Sequence, residues 1–348
     1  MDAWQAALLD EIRMAPGLSE SVDTIYLGGG TPSLLDGTWI HILLEALSQR
    51  FDIDCQAEIT LEVNPGTVSG EQLRGYREAG INRLNIGVQS FNEAALRFLG
   101  RIHSGEKAAE TLRQARRAGF ENIGLDLIYA LPGQTMADWE LELKTALDFF
   151  PEHFSCYLLT YAPGTPLAGE LDQKKFSPLP EGRCGEMFLA THDLLTAHGY
   201  HHYEISNFAR TRGFQSRHNS KYWHHAPYLG LGPAAHSFAG GKRWWNTASV
   251  ETYVNTLRAG QLPVAAQEEL SVGQVMIEAI YLGLRCCGGI RLECFEHRFG
   301  VDFQARFSGV IERFRKSGHL KVAGGRCALT RAGMLYADGI AADFIESV

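Results

Sequence analysis

The feature that most constrains the fold lies within residues 24–206, where two kinds of segment alternate. Short apolar segments are followed by segments in which apolar residues recur at the spacing of an α-helix. The apolar segments are rich in β-branched and aromatic residues, as are parallel strands buried on both faces. They are 24–29, 58–63, 83–89, 122–129, 154–160 and, with a weaker pattern, 203–206. This alternation predicts an α/β protein whose sheet is either open or closed into a barrel.

Glycine, proline and polar residues follow the predicted strands, in GGGTPS, NPGT, SFN, ALPGQT and YAPGTP. Glu62 and Gln89 end the second and third strands, and Asp126 lies inside the fourth. Each of these residues alone is more often structural than functional. The carboxyl ends of the strands in α/β barrels carry the active sites, so together they indicate a pocket for a polar small molecule beside a glycine loop.

The composition argues against several classes of protein. A net charge of −8 at pH 7 argues against a general binder of nucleic acid or of anionic membranes. No apolar run reaches the roughly 18 residues that a membrane span needs. The N-terminal sequence MDAWQAALLDEI lacks the apolar core of a signal peptide. We therefore expect a cytoplasmic protein without a transmembrane segment and without a nucleic-acid partner.

The cysteines do not form a recognisable metal or disulfide pattern. Seven are present, at Cys55, Cys156, Cys184, Cys286, Cys287, Cys294 and Cys327. Their odd number and irregular spacing argue against a disulfide framework, and no CxxC or CxxxCxxC pattern is present. We expect all seven to be mostly buried thiols that behave as small hydrophobic side chains.

Six of the thirteen histidines fall between residues 201 and 236, interleaved with aromatic residues, and glycines in this stretch predict an irregular segment. A metal site is one hypothesis, although no compact H-x₃-H pair with an acidic partner is present. A flat, apolar, anionic ligand such as a porphyrin is a second, with one imidazole bound to its iron. The third is a surface segment with solvated side chains, which we expect for His201, His202, His224 and His225. His218 and His236 are the remaining candidate ligands.

From about residue 271 the pattern changes to helices separated by glycines. The sequence HLKVAGGRCALT predicts two short strands around Gly-Gly. We expect a small helical domain with a wing, which acts as a lid or packing module and carries no chemistry.

The motifs GGGTPSLL, EVNPGT, LNIGVQSFN, LGRIH, LDLIYALPGQT, YEISNFA and HNSKYW…YLGLGPAAHSF occur in this order. Together they resemble the radical S-adenosylmethionine (SAM) proteins related to oxygen-independent coproporphyrinogen III oxidase, and the HemW-type heme chaperones in particular. The resemblance covers nearly the whole chain. It implies a partial (β/α) barrel with its first strand missing and a small C-terminal, winged-helix-like helical domain. We expect the barrel at 1–215, a connecting segment rich in histidine and aromatic residues at 216–265, and the C-terminal domain at 266–348.

The resemblance also implies which residues bind the cofactors. Gly29, Gly30 and Thr31 would lie against the methionine end of SAM, where a Cβ atom would hold the ligand off the strand edge. Ala162 would pack near the adenine. The rest of the SAM site would be lined by Glu62, Gln89, Arg101 and Asp126. His218, within HNSKYW, is the expected axial ligand of a heme iron.

The sequence departs from this family in one respect. Radical SAM proteins hold a [4Fe–4S] cluster through a CxxxCxxC loop after the first barrel strand, and neither precedes the segment DAWQAALLDEI. Without three thiolates the cluster has no ligands, so we expect no radical chemistry and no stable cluster after reconstitution with iron and sulfide. We interpret the missing segment as a start assigned too late or a shortened chain, with a natural cluster-less relative as the alternative.

Three functions follow from the resemblance. The first is a heme-binding chaperone that transfers heme to an acceptor protein. The second is an oxygen-independent coproporphyrinogen III oxidase, whose candidate residues for gripping the substrate carboxylates are Arg210, Arg212, Arg217 and Arg243. The third is a relic of the fold that binds SAM or nothing and works through protein contacts.

Overall fold

One sheet of seven strands is formed within residues 2–18 and 20–348, which the computed structural model describes. The strands are β1 (Val22–Leu27), β2 (Ile53–Val63), β3 (Arg83–Gln89), β4 (Ile123–Tyr129), β5 (His153–Leu158), β6 (His201–Glu204) and β7 (Asn207–Ala209). Their order is β1-β2-β3-β4-β5-β7-β6; β2 to β5 run parallel, and β7 is antiparallel to both of its neighbours. The sheet curls into a partial barrel, so the predicted α/β fold is confirmed.

One helix precedes the first strand of the sheet, and the helices after it connect successive strands. In chain order they are α1 (Ala3–Met14), α2 (Gly37–Arg50), α3 (Gly70–Ala79), α4 (Glu93–Phe98), α5 (Gly105–Arg117), α6 (Met136–Leu147), α7 (Pro166–Asp172) and α8 (Glu181–Ala197). Helix α3 shows how the sequence sets their limits. The Ser69 side chain accepts a hydrogen bond from the backbone N–H of Gln72 at its start, and Gly80 adopts a left-handed conformation at its end.

The two faces of the sheet differ in polarity. In β3, Leu84, Ile86 and Val88 are fully buried, whereas Asn85 and Gly87 between them are only partly buried. Strand β4 follows the same alternation, with Asp126 on the less buried face. The expectation that these strands are buried on both faces is therefore wrong. The partly exposed polar face is the one that can meet a ligand.

A second, smaller antiparallel sheet lies in the histidine-rich region. It consists of β8 (His236–Ala239), β9 (Lys242–Asn246) and β10 (Val264–Glu269), accompanied by helices α9 (Arg217–Trp223) and α10 (Val250–Arg258). The prediction of an irregular segment within 201–236 is therefore wrong for α9, but it is confirmed for residues 224–235, which contain no helix or extended strand. Gly240 and Gly241, both with positive φ, make the tight turn between β8 and β9.

The C-terminal region is helical with a small wing, as predicted. Its helices are α11 (Val272–Arg285), α12 (Leu292–Phe299), α13 (Phe303–Arg306), α14 (Ser308–Lys316), α15 (Arg331–Met334) and α16 (Ala337–Ile345). The wing strands β12 (Leu320–Ala323) and β13 (Arg326–Leu329) flank the predicted Gly-Gly turn, and β11 (Ile290–Arg291) pairs with β13. Phe303 lies at the centre of the core, with its ring centroid 4.8 Å from those of Phe295 and Phe307.

The described residues divide into two compact units. The barrel unit consists of residues 25–40 and 58–215, and the second unit consists of the described part of 1–24 together with 41–57 and 216–348. The three-part division at 215 and 265 stays a prediction. No helix within residues 2–18 and 20–348 has both the length and the hydropathy needed to cross a membrane.

The burial of the cysteines differs from the expectation. Cys156 and Cys327 are buried, but Cys55 and Cys294 are exposed and the other three are partly buried. The expectation of seven mostly buried thiols is therefore wrong. It failed because burial depends on the face of each helix or strand, and irregular spacing does not reveal the face.

Candidate functional site

The glycine loop after β1 leaves backbone uncovered at the edge of the barrel unit. Gly29 and Gly30 have φ values of 76° and 60°, a conformation that side chains other than glycine rarely adopt. A Cβ atom placed on either would meet nothing within 4 Å. The loop is therefore open on the side where a ligand would approach, and Thr31 follows it as the residue that begins a short 3₁₀ turn.

Glu62, the penultimate residue of β2, ties this loop to the sheet. Its Oε2 accepts a hydrogen bond from the Gly29 backbone N–H at 3.3 Å, and its Oε1 accepts one from the Tyr26 hydroxyl at 2.7 Å. Burial and the neighbouring Glu62 carboxylate raise the pKa of Tyr26, so the phenol keeps its proton and acts as a donor. Glu62 is thus held in place by donors from two elements.

Asp126 lies on the same face of the sheet, and one of its oxygens is unsatisfied. Its Oδ2 accepts a hydrogen bond from Asn85 Nδ2 at 2.7 Å. Its Oδ1 is buried and accepts no hydrogen bond of normal geometry within residues 2–18 and 20–348, although the Ser155 side chain lies close enough to lower the pKa of the carboxyl group. Burial, with a further contribution from the Glu62 carboxylate, raises the pKa of Asp126 to about 7. This carboxyl group therefore changes its charge near neutral pH.

Gln89 and Arg101 lie beside Gly87 of β3. A Cβ atom on Gly87 would lie 2.9 Å from Gln89 Nε2 and 3.5 Å from Arg101 Nη2, so the absent side chain leaves room for both. Gln89 has a φ of 66°, which is strained for a residue with a side chain and often marks a functional site. Burial lowers the pKa of Arg101, and the charge of Asp126 opposes that change. The Nε atom of Arg101 is buried and unpaired within the described residues.

The structure thus brings together most of the residues expected to bind SAM. The backbone N–H of Gly29 donates to Glu62. The side chains of Gln89 and Arg101 both lie beside Gly87. Burial lowers the pKa of Arg101, and the nearby charge of Asp126 opposes this change. Ala162 is exposed after β5, and its carbonyl group accepts a hydrogen bond from Thr165 Oγ1 at 2.7 Å. No contact joins Ala162 to the other expected residues among those described, so its place near an adenine stays a prediction.

His218 belongs to the second unit, where it lies near the start of α9 and is partly buried. Its Nδ1 lies 3.1 Å from Thr24 Oγ1, and its Nε2 lies 3.0 Å from the Tyr222 hydroxyl. Burial lowers the pKa of His218 to about 4. The side chain is therefore a neutral imidazole at pH 7, which is the form that binds a metal.

The other histidines of this region divide into exposed and structural ones. His201, His224 and His236 are exposed. His202 instead stacks on Phe208 with ring centroids 4.1 Å apart, and burial lowers its pKa to about 4. His225 Nε2 forms a hydrogen bond with Glu278 Oε2 at 2.8 Å, and burial lowers the pKa of His225. The expectation of solvated side chains is therefore wrong for His202 and His225, because their partners come from other elements of the fold.

Four residues of these sites were not singled out from the sequence. Tyr26 and Asn85 follow from the two-residue period of β1 and β3, which places them on the same faces as the polar strand ends. Tyr222 follows from its spacing, since a residue four positions after His218 on a helix lies on the same side. Thr24 is separated from His218 by 194 positions and no sequence signal connects the two.

The residues present fit SAM and a heme ligand but do not fit an iron–sulfur cluster. The unpaired buried atoms of Asp126 and Arg101, beside the open glycine loop, suit a small ligand that carries amino, carboxylate and hydroxyl groups. The neutral imidazole of His218 suits heme iron. No group of three histidine, cysteine, aspartate or glutamate side chains within residues 2–18 and 20–348 could hold a metal ion.

Two family models match the chain. The radical SAM superfamily matches residues 5–146, and the HemN C-terminal domain matches residues 270–336. The first match contains the glycine loop, Glu62, Gln89, Arg101 and Asp126. The second falls within the helical region with the wing.

Curated relatives match over most of the length of the chain. The heme chaperone HemW of Bacillus subtilis is 32% identical over 92% of this chain and 85% of that protein. The heme chaperone HemW of Lactococcus lactis is 35% identical over 89% of this chain and 81% of that protein.

A solved structure shares the fold across nearly the whole chain. The radical SAM enzyme coproporphyrinogen III oxidase (HemN) from Escherichia coli covers 99% of this chain and 83% of its own, with a TM-score of 0.83. Its sequence identity is 23%, so this likeness establishes the fold and not the activity.

Proposed function

Since the chain belongs to the HemW-type branch of the radical SAM family, we propose that it binds heme and transfers it to an acceptor protein. The observation that carries this proposal is the state of His218. Its imidazole is neutral at pH 7 and is held between the hydroxyl groups of Thr24 and Tyr222. Heme would supply an iron atom that accepts one imidazole nitrogen.

The protein's own contribution to heme binding is to prepare the ligand. Burial keeps His218 deprotonated, so no proton has to leave before the nitrogen can bind iron. A ligating imidazole is held in its orientation when the N–H at its other ring nitrogen donates to a neighbouring acceptor, and Thr24 Oγ1 occupies that position beside Nδ1. The cytoplasmic location of the protein and the existence of an acceptor are part of this proposal.

We further propose that the barrel unit binds SAM at the glycine loop. Glu62 and Asp126 would accept hydrogen bonds from the amino group or hydroxyl groups of the ligand, and Arg101 would offer its unpaired Nε–H. Gly29, Gly30 and Thr31 would line its methionine end, with Gln89 beside it. We assign the binding of SAM to this site.

The oxidase alternative has less support from the residues that it requires. Three of the four candidate arginines already pair with acidic groups: Arg210 with Glu152 at 3.6 Å, Arg217 with Asp23 at 3.4 Å and Arg243 with Glu278 at 2.8 Å. The charge of an arginine in such a pair is partly balanced already, which weakens its attraction for a substrate carboxylate. The exposed Arg212 is left as a candidate.

A hemin titration tests the proposed function. The Soret absorption of the wild-type protein should shift in a saturable, one-to-one manner, because a single imidazole is prepared as a ligand. His218→Ala should weaken binding by more than about tenfold, since the metal loses its protein ligand. His224→Ala is the matched control, because His224 is an exposed side chain in the same region and should be dispensable. Equal binding by the wild type and His218→Ala would reject the assignment.

A further inference from the structure

The Nε2 atom of His218, the nitrogen that would bind a metal, forms a hydrogen bond with another residue of helix α9. The hydroxyl of Tyr222 lies 3.0 Å from this nitrogen, and the two rings meet edge to face with centroids 5.2 Å apart. Tyr222 is itself held in place by Tyr228, whose ring centroid is 4.8 Å away. The contact between Tyr222 and His218 is therefore a fixed feature of this face of the helix.

The chemistry of the two neighbouring hydroxyl groups indicates which nitrogen carries the proton. A neutral imidazole has one N–H donor and one lone pair, so one of its two neighbours must donate and the other must accept. A phenol, with a pKa near 10, is a stronger hydrogen-bond donor than an aliphatic hydroxyl. Tyr222 therefore donates its O–H to Nε2, and the N–H at Nδ1 donates to Thr24 Oγ1.

In this tautomer, Thr24 and Tyr222 have opposite effects on the binding of a metal at Nε2 of His218. Thr24 holds the N–H of Nδ1 and so directs the lone pair of Nε2 away from β1. Tyr222 occupies that same lone pair. Thr24 is thus a positioning residue for the ligand, and Tyr222 competes with whatever would bind to it.

We propose that Tyr222 caps Nε2 of His218 and that heme iron binds there by displacing the Tyr222 hydroxyl, an inference that rests on the proposed function. In this step the hydrogen bond from Tyr222 to Nε2 breaks and a bond from Nε2 to iron forms. The phenol keeps its proton, the imidazole keeps the N–H at Nδ1, and no electron is transferred. Tyr222 therefore sets how tightly heme is held, which matters for a protein that must release it.

Removing the hydroxyl tests the cap. In Tyr222→Phe the ring contacts stay while the competing donor is lost, so hemin should bind about two- to tenfold more tightly, the range that one hydrogen bond accounts for. Tyr228→Phe is the matched control, because it removes a hydroxyl from the neighbouring ring without touching His218 and should leave hemin affinity unchanged. Thr24→Val should act in the opposite direction and weaken binding by about tenfold through loss of orientation.

A second readout does not depend on heme. Diethyl pyrocarbonate acylates the free lone pair of an imidazole, and mass spectrometry reports the rate at His218. The rate should rise several-fold in Tyr222→Phe and stay at the wild-type value in Tyr228→Phe. Tyr222→Leu also removes the hydroxyl, and it replaces Tyr222→Phe should that variant fail to fold.

The outcomes separate failure of the inference from failure of the proposed function. If wild-type protein binds hemin through His218 and Tyr222→Phe binds it equally or more weakly, the cap is wrong and the proposed function stands. If the wild type does not bind hemin, the proposed function is wrong, and so is the inference that the Tyr222 hydroxyl competes with heme iron for Nε2. An unchanged acylation rate at His218 in Tyr222→Phe shows that the hydroxyl does not cover Nε2, and this overturns the cap whatever hemin does.

Discussion

The two candidate sites differ in whether their buried polar atoms already have hydrogen-bond partners. In the barrel unit, Asp126 Oδ1 and Arg101 Nε are buried and form no hydrogen bond of normal geometry within residues 2–18 and 20–348, and the glycine loop beside them is open. In the second unit, both nitrogens of His218 are hydrogen-bonded. A buried polar atom without a partner costs about 1–3 kcal/mol, so a ligand gains by pairing it. The first site is thus open to a ligand, whereas at the second a ligand must replace an existing contact.

The largest expected effect lies at the open site. In Gly29→Val the new side chain fills the space that the loop leaves free, and a β-branched residue at a φ of 76° is strained. We expect SAM affinity, measured by isothermal titration calorimetry, to fall by more than about tenfold while hemin affinity stays unchanged.

Gly119→Val is the matched control for this substitution. Gly119 has a φ of 86° and nothing within 4 Å of an added Cβ atom, but it lies after α5 and away from the expected ligand-binding residues. It should carry the same backbone strain and keep its SAM affinity. Equal losses in the two variants would mean that strain alone, and not the open space at Gly29, explains the effect.

The next effect is the pH dependence of stability that Asp126 creates. Its folded-state pKa of about 7 lies above the ordinary value of 3.8, so the folded protein binds the proton more tightly. The contribution of Asp126 to the free energy of unfolding should therefore be constant below about pH 4, fall between pH 4 and 7 by at most about 1.4 kcal/mol per pH unit, and level off above pH 7.

Urea unfolding at several pH values measures this slope. Asp126→Asn keeps an acceptor for Asn85 and cannot ionise, so its stability should fall less than that of the wild type between pH 4 and 7. A parallel pH dependence in the two proteins would show that the pKa of Asp126 is not raised on folding.

A smaller effect is expected from the partner of Asp126. The hydrogen bond from Asn85 favours the charged carboxylate, so Asn85→Ala should raise the pKa of Asp126 further, by about one unit or less. A ¹³C NMR titration of the Asp126 carboxyl group measures the change. No upward shift would indicate that the hydrogen bond from Asn85 does not contribute to the pKa of Asp126.

Much of the barrel could be predicted because its strands are long and apolar. The segments predicted at 83–89 and 122–129 match β3 and β4 almost residue for residue. Several strands of three to five residues were missed, among them β7 and β8, because so short a run has no measurable period. The Gly-Gly pair that predicted the β12–β13 hairpin also occurs at Gly240 and Gly241, between β8 and β9. This second hairpin was not predicted, because the residues on either side were interpreted as part of the histidine-rich segment.

The candidate sites were predictable only in part. The motifs supplied Glu62, Gln89 and Asp126, and the structure places Glu62 beside the glycine loop. What the sequence does not contain is the pairing of distant positions, such as Thr24 with His218 or Glu278 with His225. These contacts distinguish His218, the proposed ligand, from the structural His225, and they arise only when the chain is folded.

The most direct test of the central claim, that His218 prepares the protein to bind heme iron, is chemical rescue. His218→Gly leaves a gap where the imidazole was, and it should lose the shifted Soret band of the hemin-bound protein. Added imidazole should enter the gap and restore that band, whereas His224→Gly, which alters an exposed histidine, should keep the band without imidazole. A hemin spectrum that is unchanged in His218→Gly, before any imidazole is added, would contradict the account.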